Sequence, residues 1–219
     1  QIIATVLGFI FSIIVARFYG VEIVGIISII NSYLMLVTIF TVLGTNTSIL
    51  RMIPEHLVKH SSTSALKVYR KIIFLVIIIS MVTTILCFFC SELIARKVFS
   101  KPNLTFFFAI ASIFVVFKSL AILNTQAVRA IRYIKAFAVM QALRQGFNIL
   151  LLMLLSFFIS SLNIPVYAFL SSFALTGIAG FIIIEYHFKN KTQPQDKVCT
   201  VNFHQILSLS TPMLMGAML

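Results

Sequence analysis

The stretch from Lys118 to Asn148, KSLAILNTQAVRAIRYIKAFAVMQALRQGFN, decides how the chain is read. It links two apolar runs and sets a cation inside each. Lys118 sits in the first, and Arg144, flanked by Gln141, Gln145 and Asn148, in the second. A charge at bilayer depth costs about 2.5–3.5 kcal/mol on insertion scales, so such residues face a cavity or a partner and mark a pathway.

Composition sets the class. At 219 residues, 60% hydrophobic and 10% charged, with a mean hydropathy of +1.09, the chain is too apolar for a soluble domain and reads as an integral membrane protein. The net charge of +12 lies between apolar spans and is not gathered on one solvated face, which argues against nucleic acid as a partner. Cys87, Cys90 and Cys199 form no disulfide framework or metal site, and His56 and His60 are read as loop residues lacking further ligands. No metal or cofactor is expected. Residues Ile2 to Tyr19 lack the basic start and small-residue cleavage pattern of a signal peptide.

Runs of about 20 apolar residues, enough to cross a ~30 Å hydrocarbon layer, predict an all-α polytopic helix bundle of six spans plus the start of a seventh. The spans are Ile2 to Phe18, Val24 to Leu43, Ile72 to Ser91, Leu104 to Leu123, Ala136 to Ser160 and Ile164 to Ile184, with the seventh from Ile206 onward. The expected organisation is a six-helix lobe over residues 1–188, an inter-lobe linker over 189–205, and a second lobe opening at 206–219. Gln1 at the start and an unfinished apolar run at Leu219 are taken as a fragment cut at both ends.

Orientation follows from the loop cations. Eleven lie after spans two, four and six: Arg51, Lys59, Lys67, Arg70, Lys71, Arg129, Arg132, Lys135, Lys189, Lys191 and Lys197. Four lie on the other side, Arg17, Arg96, Lys97 and Lys101. The richer side is cytoplasmic, which puts the N-terminus inside a multi-pass inner (plasma) membrane protein.

On a helix, Gln141, Arg144, Gln145 and Asn148 share one face, a polar stripe that would not look at lipid. Lys118 and, in span two, Asn31 are expected to join the same cavity, while Arg129, Arg132 and Lys135 form a basic ridge at the inner surface that would gather an anionic ligand and contact anionic lipid. The five acids, Glu22, Glu55, Glu92, Glu185 and Asp196, fall at span ends or in loops. Without an intramembrane carboxylate, a cavity lined by Arg and Lys suits an anion, and a guanidinium grips phosphate oxygens with two donors at once. Small residues at Ala4, Gly8, Ser12 and Ala16, and Gly177 and Gly180 in span six, read as helix-packing surfaces.

Ala16-Arg17-Phe18-Tyr19-Gly20 with Gly25, Leu43-Gly44, Arg51-Met52-Ile53-Pro54-Glu55, Gln126-Ala127-Val128-Arg129-Ala130 and Leu207-Ser208-Leu209-Ser210-Thr211-Pro212 together carry a resemblance. They resemble the N-terminal half of bacterial polysaccharide flippases, transporters of lipid-linked O-antigen or capsule repeat units in the multidrug/oligosaccharidyl-lipid/polysaccharide exporter superfamily. The related peptidoglycan-precursor flippase has arginines where Thr5 and Phe11 stand and an acid where Ser12 stands, so that substrate is disfavoured. The resemblance implies one lobe of a two-lobed exporter with a central cavity. It implies a lipid-linked oligosaccharide, membrane lipid and other polysaccharide assembly proteins as partners, and transport without enzymatic chemistry. Arg144, Lys118, Gln141, Gln145, Asn148, Asn31, Arg129 and Arg132 are the candidate substrate contacts. The rival readings are a cation-coupled drug or metabolite exporter of the same superfamily, and a membrane polysaccharide polymerase or ligase.

Overall fold

The computed structural model describes residues 2–189 apart from 43, 60, 100–103, 159 and 160. Helix α1 spans Ile2–Tyr19, α2 Val21–Val42, α3 Thr45–Lys59, α4 Ser62–Phe89, α5 Ser91–Leu93 running into a π-helical turn Ile94–Val98, α6 Thr105–Ala130, α7 Ile134–Phe158 and α8 Ile164–Lys189. The described residues are all-α. Helices α1, α2, α4, α7 and α8 are long and apolar enough to cross a membrane, and α6 makes a sixth as a bent span. These are the six apolar runs of the sequence. The predicted linker from 190 onward, and the seventh span, lie outside the described residues.

One element was not anticipated. Residues 45–59, expected as loop, form α3, whose Ile49, Met52 and Ile53 are buried while Arg51, Glu55 and Lys59 are exposed. The apolar residues recur at helical spacing on one face only, a signal that a search for continuous apolar runs passes over. His56 is therefore a helix residue. The Glu55 carboxylate accepts from Lys59 Nζ at 2.7 Å, and that ammonium holds its pKa below the ordinary value. Likewise α4 starts ten residues before its apolar run, at an N-cap where the Ser61 hydroxyl accepts from the Ser64 N–H at 3.2 Å.

The chain turns sharply where α1 meets α2 and where α2 meets α3, at Gly20 (φ 92°) and Gly44 (φ 72°), a left-handed backbone that glycine adopts without strain. The turn from α6 to α7 uses the same conformation at Arg132 (φ 61°), uncommon for a residue with a side chain.

Helix α6 is central, packed against α2, α3, α4, α7 and α8, with α8 also against α7, and α7 against α1. Two apolar cores are stacked along the bundle. One joins the α1–α2 turn, the start of α6 and the start of α8 through Phe11, Ile30, Leu34, Phe108 and Leu170. The other, at the basic end, joins α3, α4, the end of α6 and the end of α8 through Ile49, Ile53, Tyr69, Leu123 and Ile184. Outward faces carry exposed Phe9, Ile78, Phe89, Phe157 and Ile182, as lipid contact requires.

A level of buried polar groups runs through the bundle, and several of them bond helix to helix. Tyr69 donates to Asn124 Oδ1 (2.9 Å) and Asn124 Nδ2 donates to the Gly177 carbonyl (2.8 Å), tying α4, α6 and α8 together. Thr41 and Ser119 hydroxyls meet at 2.7 Å between α2 and α6. Gly177 and Gly180 let α8 approach this level. A Cβ at Gly177 would stand 3.4 Å from the Phe117 carbonyl, and one at Gly180 only 2.7 Å from Asn124 Cβ.

Helix α6 bends by 46° between Ile113 and Val115. The cause is local. Thr84 of α4 donates its hydroxyl to the Ser112 carbonyl (3.1 Å), the acceptor that the Val116 N–H would otherwise hold alone, and the Ser112 hydroxyl bonds back to the Phe108 carbonyl (2.8 Å). A side chain inserted into the i→i−4 ladder, beside a back-bonding serine, bends a helix. Tyr33 adds a hydrogen bond to Ser112 Oγ at 2.6 Å. Lys118 follows one turn after this bend.

Candidate functional site

The polar level opens into a cavity of about 430 Å³ between α1, α6, α7 and α8. Lys118 comes from α6, Arg144 and Gln141 from α7, Phe173 and Thr176 from α8, and Gln126 from the last turns of α6. Lys118 is 6% exposed. Its ammonium lies 5.3 Å from the centre of the Phe173 ring, and the Arg144 guanidinium lies 5.7 Å from the same centre. Two cations from different helices therefore share one aromatic ring, each gaining a cation–π attraction of order 0.5–2 kcal/mol. That is too little to replace a counter-ion for charges removed from water.

No described residue supplies a counter-ion. Among the described residues, Glu55 pairs with Lys59, Glu185 with Arg70 and Glu92 with Arg96, and Glu22 lies exposed in the first turn of α2. None of these carboxylates lines the cavity. Among the described residues Lys118 makes one hydrogen bond, a long one of 3.5 Å to Asn31 Oδ1, and Arg144 makes no hydrogen bond or ion pair. The arrangement offers up to five guanidinium N–H donors and an ammonium, all available to an incoming anion.

The predicted amide stripe divides. Gln141 lines the cation cavity, whereas Gln145 and Asn148 turn toward α1 and α2 and line a second chamber of about 180 Å³ with Ser12, Ser28 and Asn31. Asn148 donates to Gln145 Oε1 at 2.8 Å, and Gln145 reaches the α1 backbone where Gly8 leaves room for it; a Cβ there would stand 3.1 Å from Gln145 Nε2. The two chambers are joined through the Lys118–Asn31 contact. Two acceptors are left over. Gln126 Oε1 and Asn148 Oδ1 are buried and have no hydrogen-bond partner. Lys118 also lines a third space of about 200 Å³ with Thr38 and Asn46.

Arg129 and Arg132 lie apart from these chambers. Both are exposed at the α6–α7 turn, with Arg129 over the Phe137 ring at 5.8 Å and Arg132 ending α6 in its left-handed conformation. Gln126, Phe173 and Thr5 were missed as cavity residues. The first reads as one polar residue in a basic stretch and the second as one of 22 phenylalanines, and neither has a spacing that points to the cavity. Free Cys87 and Cys90 sit at the end of α4, and no group of three or more metal-ligating side chains occurs among the described residues.

Comparison with curated proteins and with solved structures returned no match. A family described as polysaccharide biosynthesis protein matches residues 1–219. The chain, with five to six helices among its described residues long and apolar enough to cross a membrane, belongs to the polysaccharide biosynthesis protein family.

Proposed function

We propose that the chain is the first lobe of a membrane transporter that flips polyprenyl-pyrophosphate-linked oligosaccharide repeat units from the inner to the outer leaflet for cell-surface polysaccharide assembly. The observation that carries this reading is the convergence of Lys118 and Arg144 on Phe173 with no described carboxylate lining the cavity. A ligand that brings its own negative charge relieves the cost of the buried pair, and the pyrophosphate is that charge. Gln141, on the same wall as Arg144, meets the glycan end, and the lipid tail stays in the bilayer. The exposed Arg129 and Arg132 gather the anionic headgroup at the cytoplasmic mouth.

The reading extends to the whole transporter. The lobe formed by residues 1–188 would face a second lobe opening at 206–219, joined by the 189–205 linker, and the N-terminus would be cytoplasmic in the inner membrane. An inside-negative potential would then favour outward movement of each uncompensated negative charge by ~2.3 kcal/mol per 100 mV. The protein moves its substrate without breaking a bond.

The test is complementation. Full-length protein carrying Arg144→Ala, in a strain lacking its own flippase, is expected to reach the membrane at normal levels and to display little surface polysaccharide. Arg144→Lys is expected to be intermediate, because an ammonium keeps the charge and loses the two-pronged grip. Normal display by Arg144→Ala would sink the binding role.

A further inference from the structure

The geometry points to a binding site for an anionic phospholipid in a groove between α7 and α8, at the basic end of the bundle. It stands apart from the cation cavity and holds whatever substrate that cavity takes.

The groove encloses about 610 Å³. Tyr133, Lys135 and Val139 line it from the α6–α7 turn and the first turns of α7, and Ile183, Tyr186 and His187 from the last turns of α8. None of them lines the cation cavity. On α7, Lys135 and Val139 share a face, whereas the cavity residues Gln141 and Arg144 lie about 120–180° away around the helix. The groove is therefore a second site on another flank of the same helix.

Its two levels differ in chemistry. At the end of the bundle stand the Lys135 ammonium, the Tyr133 and Tyr186 phenols, and His187, whose ring lies 5.6 Å from that of Tyr133. Arg129 and Arg132 are exposed at the same α6–α7 turn. One turn further into the bilayer the lining becomes Val139, 52% exposed, and Ile183, with exposed Ile182 beside it. Among the described residues, Arg129, Arg132 and Lys135 have no carboxylate partner, and no carboxylate lines the groove. Glu185, next to Tyr186 on α8, is taken up by Arg70 of α4, which donates to both its oxygens at 2.9 and 2.7 Å.

A basic, aromatic rim above an apolar wall matches a phospholipid, a charged headgroup on acyl chains. The Lys135 ammonium and the tyrosine hydroxyls can donate to phosphate oxygens, while an acyl chain follows Val139 and Ile183 into the hydrocarbon layer. A soluble anion would engage the rim alone and leave the apolar wall unused. A zwitterionic headgroup would bring its own ammonium toward Arg129, Arg132 and Lys135 with no carboxylate to receive it, so the site favours a lipid of net negative charge. In the orientation proposed above, that lipid belongs to the cytoplasmic leaflet. Seated there, it ties the start of α7, the helix of Gln141 and Arg144, to the end of α8, the helix of Phe173.

The test is native mass spectrometry of full-length protein released from micelles holding equal amounts of phosphatidylglycerol and phosphatidylethanolamine with the same acyl chains. The wild type is expected to retain phosphatidylglycerol over phosphatidylethanolamine by about fivefold or more, as ~1 kcal/mol per basic residue near a lipid surface implies. Lys135→Gln is expected to lower that ratio by roughly threefold or more, whereas Lys67→Gln, at an exposed position on α4 outside the groove, should leave it unchanged. Val139→Trp keeps every charge and fills the groove from an exposed position. It is expected to abolish the preferential retention, and it decides the matter if Lys135→Gln does not accumulate. Equal retention of the two lipids by the wild type, an equal effect of Lys67→Gln and Lys135→Gln, or wild-type retention by Val139→Trp would overturn the proposal.

Discussion

Replacing Gly180 by Ala probes the packing that holds the polar level together. In an isolated helix the change is favourable, because Ala costs less backbone entropy than Gly by up to ~1 kcal/mol. Here the added methyl would lie 2.5 Å from Met140 Cε and 2.7 Å from Asn124 Cβ, against an ordinary carbon contact of about 3.5–4.0 Å. Met140 can move its terminal methyl aside. Asn124 cannot, because its amide is pinned by Tyr69 and by the Gly177 carbonyl. Helix α8 must therefore retreat from α6 by roughly 1 Å, which strains the Asn124–Gly177 bond and widens the wall that Met140 gives the cation cavity. Overpacking of this kind costs about 1–3 kcal/mol, so the net loss should be about 1–2 kcal/mol. Gly146, with no atom within 4 Å of an added Cβ, is the control and should gain up to ~1 kcal/mol. The assay is the thermal unfolding midpoint of the two full-length variants in the same detergent, with Gly180→Ala well below Gly146→Ala. Equal midpoints, or the reverse order, would refute the reasoning.

Two further variants address the bend and the polar level. Thr84→Val removes the hydroxyl on the Ser112 carbonyl and should straighten α6; spin labels at the exposed positions 106 and 129 would report a lengthening of up to about 3 Å at ~1.5 Å rise per residue, and an unchanged distance would count against Thr84 as the cause. Tyr69→Phe leaves Asn124 Oδ1 without its donor and should cost about 0.6–1.7 kcal/mol, the range for hydrogen bonds between membrane helices, read as a lowered unfolding midpoint.

Much of the fold was legible because lipid imposes a length rule. Six apolar runs became α1, α2, α4, α6, α7 and α8, with Pro165 in the first turn of α8 as its missing N–H allows. What the length rule does not cover was lost. Helix α3 buries only one face, and the first ten residues of α4 mix polar side chains with apolar ones and form no continuous apolar run. The bend in α6 depends on Thr84, 28 residues away, and no local pattern reveals it. At the site, Lys118 and Arg144 stood out as charges inside apolar runs, where few residues are so costly, and both line one cavity. Sequence spacing put Gln141, Gln145 and Asn148 on one face, but an arc of helix surface meets more than one neighbour. With α1 and α2 on one side and α8 on the other, the stripe serves two chambers. Phe173, which lies within 6 Å of both cations, belongs to another helix, and its part was invisible until the helices were packed.

The most direct measurement is lipid translocation by full-length protein reconstituted in liposomes, comparing the wild type with the double variant Lys118→Ala, Arg144→Ala on a polyprenyl-pyrophosphate-linked glycan. The cation pair predicts at least a tenfold slower appearance of the glycan in the outer leaflet, with the double variant folded and reconstituted to the same density. Translocation at the wild-type rate without either cation would contradict the account.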